Sequence, residues 1–278
     1  MNNGILLGVL QIINKLDERG RVVGFTEEDG TYLKHFALSA VRALQHAYNT
    51  HENHRKMLKM SEFRDPKETY LHTERVSSIS LEIYDRWAFD KNIPENIRHS
   101  YRDNLKIAAK FHDIGKVGIS DLILKKPGRF DDCERHIIKG HTCIGAQLFD
   151  PAETDVDIMC RDVALCHHER FDGGSAGYPG KKYFEGEYAN FQIGCPVADV
   201  IPLKGEEIPL AARIVAVADV FDALSHRRCY KEAWSLDDAF AEIQNCSGTQ
   251  FDPEVVLAFM KVRERVEQIL INYHDDEE

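Results

Sequence analysis

The sequence has 278 residues and a formal net charge of −11, from 35 basic and 46 acidic side chains. At roughly 100–200 residues per domain, this length fits one large domain or two smaller ones. Apolar residues make up 43% of the chain and charged residues 29%, which is typical of a globular protein and excludes a disordered chain. No apolar run reaches the ~18 residues of a membrane helix, and the acidic balance argues against binding of duplex DNA.

The cysteines indicate a reducing compartment. Their number, seven, is odd and no two are spaced as Cys-x-x-Cys, so neither a disulfide framework nor a thiolate zinc site is expected. No signal peptide is expected either, because the first apolar stretch, residues 5–13, lacks a basic n-region and a cleavage site. We therefore expect a cytoplasmic protein.

The N-terminal part combines a strand signal with a long helix signal. Residues 5–14 are predicted to form a short buried strand and residues 15–24 a turn or loop. A helix is predicted to begin at Thr26, whose side chain can cap its first turn, and to run to about residue 61. This length exceeds that of ordinary globular helices and favours a coiled-coil-like connector. We therefore expect a homodimer formed through this helix.

From residue 62 onward, apolar residues recur at helical spacing and strand signals are nearly absent. This pattern predicts an all-α helical bundle over residues 62–278. Its helices are marked by apolar stripes within 76–87, 97–111, 137–148, 158–165, 210–224, 236–243 and 256–269. The stretch 172–209 is rich in Gly and Pro and is predicted to be an irregular loop of functional importance.

Ionisable residues lie on the apolar faces or at the ends of these predicted helices. They are Glu68, His72, His112, Asp113, His141, His167, His168 and Asp219. Singly, each has a simpler explanation as a hydrogen-bonded core residue. Together they indicate a metal site, because burying so many ionisable groups is costly unless they pair or bind a cation. Imidazole and carboxylate ligands without thiolate suit iron, manganese or zinc.

Two segments carry a family resemblance. FHDIGKVGI (111–119) and HHERFDGGSAGYP (167–179) resemble the signatures of the bacterial HD-GYP phosphodiesterases, a branch of the HD metal-dependent phosphohydrolases. Further matching segments within residues 61–262 are 65–76, 136–145, 212–224 and 247–255. The resemblance implies an enzyme that hydrolyses cyclic di-GMP with two or three divalent ions, iron or manganese, and it leaves open whether the final product is linear pGpG or GMP.

The resemblance also implies roles for individual residues. The metal ligands would be His72, His112, Asp113, His141, His167, His168 and Asp219, with Asp113 bridging two ions and Glu68 serving a third. Glu68 is equally placed to cap its own helix, three residues after Asp65. Asp113 and Lys116 would be the catalytic residues, with Lys116 also contacting the substrate phosphate. Without the resemblance, Lys116 would be read as a cation that complements a helix dipole.

The same resemblance implies a substrate-binding set. Arg228 and Lys231 would hold the phosphates of the cyclic dinucleotide, although surface charge is a simpler explanation for both. Tyr178 would line the pocket within the turn Gly177-Tyr178-Pro179, and this turn would also offer a surface to GGDEF-type cyclases. A purely structural turn is an equally good explanation.

The chain departs from the family pattern near that turn. Residues 174–176 lengthen the spacing before Gly177, and residues 180–202 form an aromatic-rich insert. At the N-terminus, residues 8–17 and 25–44 resemble the last strand and final helix of a GAF domain. We therefore expect a partial GAF-like strand with a connector helix over residues 1–61 and an HD-GYP domain over residues 62–278.

Two alternative functions stay open at this stage. The first is hydrolysis of another cyclic dinucleotide such as cyclic GMP-AMP, because the same phosphate contacts would serve both substrates. The second is a metal-bound cyclic di-GMP receptor or interaction module with little turnover. The complete ligand set and Lys116 favour an enzyme over this second alternative.

Overall fold

The computed structural model describes residues 8–64, 70–198, 200–226 and 234–273. The chain divides into two compact units, residues 1–59 and residues 60–278, and each is described by itself. Within the described residues, none of the helices combines the length and hydrophobicity needed to cross a bilayer.

The strand expected over residues 5–14 is not formed in its described part. Residues 8–14 have no strand pairing, and Val9 is 85% exposed. The only regular pairing there is an isolated antiparallel bridge between Leu16 and Val22. A strand is stable only when neighbouring strands satisfy its backbone groups and cover one of its faces. Because residues 8–59 contain no such neighbour among the described residues, the apolar stretch stays exposed.

The long helix is present. Helix α1 spans Glu27–Arg64, 38 residues. The expected cap at Thr26 is confirmed, since its Oγ1 accepts a hydrogen bond from the Asp29 backbone amide at 3.3 Å, and an Asp29 carboxylate oxygen accepts from the Thr26 amide at 2.7 Å. Three acidic residues in the first turn complement the positive end of the helix dipole.

The regular secondary structure in the described residues of the second unit is helical apart from an isolated parallel bridge between Ser247 and Phe251, which confirms the all-α prediction. Beyond the end of α1, its α-helices are α2 Tyr70–Asp90, α3 Glu95–Lys110, α4 Asp121–Leu124, α5 Asp132–Lys139, α6 His141–Gln147, α7 Asp155–Cys166, α8 Lys181–Phe184, α9 Leu210–Ser225, α10 Leu236–Asn245, α11 Pro253–Lys261 and α12 Arg263–Asn272. Short 3₁₀ segments occupy Ile114–Gly118, Glu187–Asn190 and Gly205–Glu207.

Helix α2 forms the centre of this unit and packs against α3, α9, α11 and α12. Val76, Ile79 and Ile83 on its inner face are fully buried, as their helical spacing requires. Phe221 of α9 lies 4.7 Å from Phe240 of α10, measured between ring centroids, and this contact ties the C-terminal helices to the core. Helix α7 completes the packing against α3 and α9.

The single helix expected across residues 137–148 is two helices that meet at Gly140. A Cβ added at Gly140 would lie 2.7 Å from the Phe191 ring, so only glycine permits this close approach. After the break, α6 packs against the 3₁₀ segment Ile114–Gly118. A Cβ at Gly115 would lie 1.8 Å from the carbonyl oxygen of His141, so the two backbones nearly touch. The expected helix over 256–269 is likewise divided, at Val262, into α11 and α12.

The insert at residues 180–202 is folded onto the core. Tyr183, Tyr188 and Phe191 are buried in one apolar cluster with residues of α6 and α7. The Gln147 side-chain amide donates to the carbonyl oxygens of Tyr188 and Phe191, both at 2.9 Å. The expected irregular loop is therefore a packed layer beside the helix that begins at His141.

Candidate metal and phosphate site

Seven of the eight predicted ligands come together, and Glu68 lies outside the described residues. They form two groups, within each of which the potential ligand atoms lie within 4.8 Å of one another. The first ligand group is Asp113, His141, His167 and His168, and the second ligand group is His72, His112 and Asp219. Together they are called the candidate metal site below.

Helix ends build this site. His112 and Asp113 follow the last residue of α3, and His141 is the first residue of α6. His167 and His168 follow the end of α7. The other two members, His72 and Asp219, lie within α2 and α9. The close backbone contact at Gly115 is what brings the start of α6 against the residues that follow α3.

Asp113 lies between the two ligand groups. Its Oδ1 is 3.0 Å from His141 Nε2 and 3.6 Å from His167 Nε2. Its Oδ2 is 3.5 Å from His112 Nε2, and His112 Nε2 is 3.8 Å from Asp219 Oδ1. One carboxylate therefore presents one oxygen to each group, which is the arrangement of a ligand that bridges two cations.

The outer nitrogens of the imidazoles fix which tautomer is present. His112 Nδ1 donates to the Ala109 carbonyl at 2.8 Å, His141 Nδ1 to the Ile138 carbonyl at 2.7 Å, and His167 Nδ1 to the Val163 carbonyl at 2.9 Å. A carbonyl oxygen carries no hydrogen, so each Nδ1 must be the protonated nitrogen. In the neutral ring each Nε2 then offers a lone pair toward Asp113.

Buried polar atoms at the centre of the site show that a cation fits there. Asp113 Oδ1, His141 Nε2 and His167 Nε2 are buried and make no hydrogen bond. All three are electron-pair donors that converge, which is unfavourable unless a cation lies among them. Their mixed nitrogen and oxygen chemistry suits iron, manganese or zinc. The residues present therefore fit a divalent metal centre.

The electrostatics favour the protonation states that metal binding requires. Burial lowers the pKa of His167 and His168, so both rings are neutral at pH 7. Burial alone would raise the pKa of Asp113, but the positive charge of Lys116 beside it holds that pKa well below its usual value. Neutral imidazoles around an ionised carboxylate are ready to bind a cation without losing protons.

A buried ion pair that the sequence analysis missed orients His72. Asp222 Oδ2 accepts a hydrogen bond from His72 Nδ1 at 2.7 Å, and Asp222 Oδ1 accepts from Arg75 Nε at 2.6 Å. Arg75 and Asp222 are both about 98% or more buried. The signal was available, since Asp222 follows Asp219 by three residues and Arg75 follows His72 by three, which places each pair on one helix face.

The predicted catalytic lysine and the tyrosine of the Gly-Tyr-Pro turn both lie at the candidate metal site. Lys116 Nζ is 2.5 Å from Asp113 Oδ2. Lys116 lies in the 3₁₀ segment Ile114–Gly118, which follows Asp113 directly. The Tyr178 ring stacks on the His168 ring with 4.8 Å between centroids. Arg228 and Lys231 lie outside the described residues.

A third residue that the sequence analysis did not single out, Glu169, holds the turn in place. The buried Glu169 accepts hydrogen bonds from the backbone amides of Gly180 at 2.6 Å and Leu203 at 3.1 Å. Burial raises the pKa of Glu169 to about 7, against the opposing effect of these two amides. One side chain, next in sequence to His168, thus fixes the two ends of the insert beside the candidate metal site.

Comparisons with known proteins agree with this geometry. The sequence matches the HD domain family over residues 69–224. It is 36% identical over 218 residues to a cyclic di-GMP phosphodiesterase of Thermotoga maritima, covering 78% of this chain and 50% of that protein. It is 41% identical over 165 residues to the cyclic di-GMP phosphodiesterase response regulator RpfG of Xanthomonas campestris pv. campestris, covering 59% and 38%. It is 32% identical over 191 residues to 3′3′-cGAMP-specific phosphodiesterase 2 of Vibrio cholerae, covering 68% and 30%.

The chain spans half of the Thermotoga protein and less of the other two. The family match itself covers more than half of this chain. All seven residues of the candidate metal site, from His72 to Asp219, lie inside that match. The family match and the structure therefore point to the same residues. The chain belongs to the HD domain family.

Proposed function

We propose that this chain is a metal-dependent phosphodiesterase that hydrolyses cyclic di-GMP to linear pGpG, with further hydrolysis to GMP as the open alternative. The observation that carries the proposal is the position of Asp113, whose two oxygens face two separate ligand groups. Relatives named as cyclic di-GMP phosphodiesterases support the substrate. Free cysteines at all described cysteine positions agree with a cytoplasmic location.

The residues of the site have three proposed roles: metal binding, phosphate neutralisation and substrate binding. Divalent ions bound here would activate a water molecule and stabilise charge on the scissile phosphate, with iron and manganese as the proposed metals. The histidines present unprotonated Nε2 atoms, and Asp113 supplies negative charge to both ligand groups. Lys116, paired with Asp113, is placed to neutralise or protonate a phosphate oxygen. Tyr178, Arg228 and Lys231 are proposed to bind the substrate.

Cyclic GMP-AMP is a second candidate substrate, supported by the names of several relatives. Relatives in Vibrio cholerae are named 3′3′-cGAMP-specific phosphodiesterases, and one is 35% identical to this chain over 160 residues. The test is to purify the protein without oxygen, load it with iron or manganese, and assay cyclic di-GMP and cyclic GMP-AMP with identification of the products. Turnover of cyclic di-GMP supports the proposal, and faster turnover of cyclic GMP-AMP favours the second substrate. Binding without turnover would make the chain a receptor.

The proposed contact with GGDEF-type cyclases rests on the Gly-Tyr-Pro turn. Gly177 and Pro179 are buried, and Tyr178 is half-buried against His168. A partner would therefore reach the tyrosine and little else of the turn. This limits the proposed surface to the Tyr178 ring and its immediate neighbours.

A third metal is predicted, with Glu68 as its ligand. His72 lies four residues after Glu68, so both would lie on one face of a helix that continues through them. We expect Glu68→Gln to lower the metal content from three ions per chain to two, measured by elemental analysis, with little change in melting temperature. Two ions in both proteins, together with a lower melting temperature in the variant, would show that Glu68 only caps the helix.

The homodimer through α1 is also a prediction. Phe36, Ala40, Leu44 and Ala47 follow one another on this helix at spacings of four, four and three residues, which places them along one stripe, and Phe36 and Leu44 are exposed. We expect light scattering to give twice the chain mass for the wild type and a monomer for the Phe36→Glu variant, because a charge in an apolar seam opposes pairing. His46→Glu, on the same helix but outside this stripe, is the matched control. A wild type that stays monomeric at high concentration contradicts the prediction.

A further inference from the structure

Lys139 carries a positive charge beside the candidate metal site. It is the last residue of α5 and precedes the ligand His141 by two residues, so the break at Gly140 fixes its position. Its Nζ lies 4.9 Å from the centroid of the Tyr178 ring. The same ring stacks on His168, a member of the first ligand group. A single aromatic ring therefore contacts both a candidate metal ligand and a lysine.

Lys139 contacts an aromatic ring, whereas three other lysines of this unit pair with carboxylates. Lys110 and Lys126 pair with Glu74 and Glu134, and Lys116 pairs with Asp113. Within the described residues, no carboxylate lies within 4.0 Å of Lys139 Nζ. A cation that rests on an aromatic face keeps its full charge available to an anion that approaches from the solvent. Lys139 is half-buried, so such an anion can reach it.

The proposed substrate contains an anion that the metal ligands do not account for. A cyclic dinucleotide carries two phosphodiester groups, and only the scissile one is held at the metals. The ion pair with Asp113 holds Lys116 on the metal side of the pocket. We propose that Lys139 binds the second, non-scissile phosphate of the cyclic dinucleotide, beside the ring of Tyr178. This inference rests on the proposed function and adds a substrate-binding residue to it.

The competing explanation is that Lys139 only holds the Tyr178 ring against His168. The two explanations differ in which substrates they affect. A shift of Tyr178 would disturb the metal ligand His168 and slow every phosphodiester equally. Loss of a contact to the non-scissile phosphate would affect only a substrate that has one. Bis(p-nitrophenyl) phosphate has a single phosphodiester group and separates the two cases.

The test compares Lys139→Met, Lys139→Arg and Lys182→Met in the full chain loaded with manganese. Methionine keeps an unbranched stem of similar length and removes the charged amine, and arginine restores the charge. Lys182 is the matched control, because its Nζ lies 5.1 Å from the centroid of the Tyr183 ring in a similar contact on the insert. The measurements are kcat and KM for cyclic di-GMP and for bis(p-nitrophenyl) phosphate.

We expect Lys139→Met to raise KM for cyclic di-GMP about tenfold, the loss typical of one charge-assisted contact, with kcat changed less than KM. The loss in kcat/KM should be about ten times larger for cyclic di-GMP than for bis(p-nitrophenyl) phosphate. Lys139→Arg should recover most of the affinity, and Lys182→Met should behave as the wild type. Equal losses on both substrates, or no change in KM for cyclic di-GMP, would overturn the inference.

Failure of the proposed function has a different outcome. In that case the wild type itself neither binds nor hydrolyses the cyclic dinucleotide while it still hydrolyses bis(p-nitrophenyl) phosphate. If the wild type binds cyclic di-GMP without turnover, calorimetric dissociation constants replace KM. A tenfold weaker affinity of Lys139→Met then supports the inference, and equal affinities overturn it.

Discussion

Replacing Asp113 with asparagine is expected to reduce hydrolysis of cyclic di-GMP by at least about a thousandfold, the scale of losing a group that stabilises the reacting centre. Asparagine has nearly the same shape, but it removes the negative charge and leaves one oxygen where two face the ligand groups. Metal content per chain should fall as well, because the first and second ligand groups lose their shared carboxylate. The measurements are turnover with added iron or manganese and elemental analysis of the purified protein.

The variant is expected to keep its fold. Asp113 Oδ1 makes no hydrogen bond, and the asparagine oxygen can still accept from the half-buried Lys116 that pairs with Oδ2, so little stabilisation is lost when the residue is replaced. Circular dichroism should therefore show the helical content of the wild type. Asp121→Asn is the matched control, since Asp121 lies eight residues further on and pairs with the exposed Lys125 at 3.2 Å. Wild-type turnover and metal content in the Asp113 variant would refute the bridging role.

Replacing Asp222 with asparagine is expected to weaken both the fold and metal binding. Burial alone would raise the pKa of Asp222, but hydrogen bonds from His226, His72 and Arg75 hold it well below its usual value, so the group is ionised at neutral pH. Its loss leaves the buried Arg75 without a counter-charge and should lower the free energy of unfolding by about 3–5 kcal/mol. Loss of the carboxylate that orients His72 should weaken metal binding by about 10–100-fold.

The pH dependence of this stabilisation follows from the direction of the pKa shift. The pKa of Asp222 is lower in the folded protein than its unfolded value of about 3.9. The stabilisation is therefore present above the unfolded pKa, fully so from about two units above it, and is lost as the pH falls through the folded pKa. Urea unfolding should show that the free energies of unfolding of the wild type and the Asp222→Asn variant differ by the same amount at pH 6 and at pH 8. At both values the pH is at least about two units above the unfolded pKa, so the aspartate is ionised.

Two further variants separate the effect on the fold from the effect on the metal. Arg75→Met combined with Asp222→Asn should recover much of the lost stability, because no buried charge is left alone, while metal affinity stays low. Asp252→Asn removes the partner of Arg213 in another buried ion pair. It should destabilise the protein to a similar degree and leave metal affinity unchanged. If Asp222→Asn binds metal as tightly as the wild type, the orienting role is wrong.

The sequence could predict which residues meet at the candidate metal site because their chemistry is visible without coordinates. His112 and Asp113 are adjacent, as are His167 and His168, and helix periodicity already placed them at the ends of apolar stripes. The ion pair between Arg75 and Asp222 was missed because the two residues are 147 positions apart along the chain. Their spacings place each of them on the same helix face as a predicted ligand, but only the packing of α2 against α9 shows that they contact each other.

The errors in the predicted elements have physical causes as well. Residues 8–14 have the composition of a strand, but strand formation depends on neighbours that the described residues do not supply. The division at Gly140 depends on the approach of Phe191, more than 50 residues later, which helical periodicity cannot show. Local pattern predicted where helices form, and the tertiary contacts decided where they break.

The insert at residues 180–202 is closed at its base beside the candidate metal site, and this closure bears on how much its length can vary. The two carboxylate oxygens of Glu169 accept hydrogen bonds from the backbone amides of Gly180 and Leu203. The backbone amide of Lys181 donates to the Ile201 carbonyl at 2.8 Å, so the loop is closed at its base. With the ends fixed, the entropic cost of added residues grows only with the logarithm of loop length. Added residues would therefore cost little wherever Tyr183, Tyr188 and Phe191 keep their places in the apolar cluster, so the tolerance of this segment lies between its packed side chains.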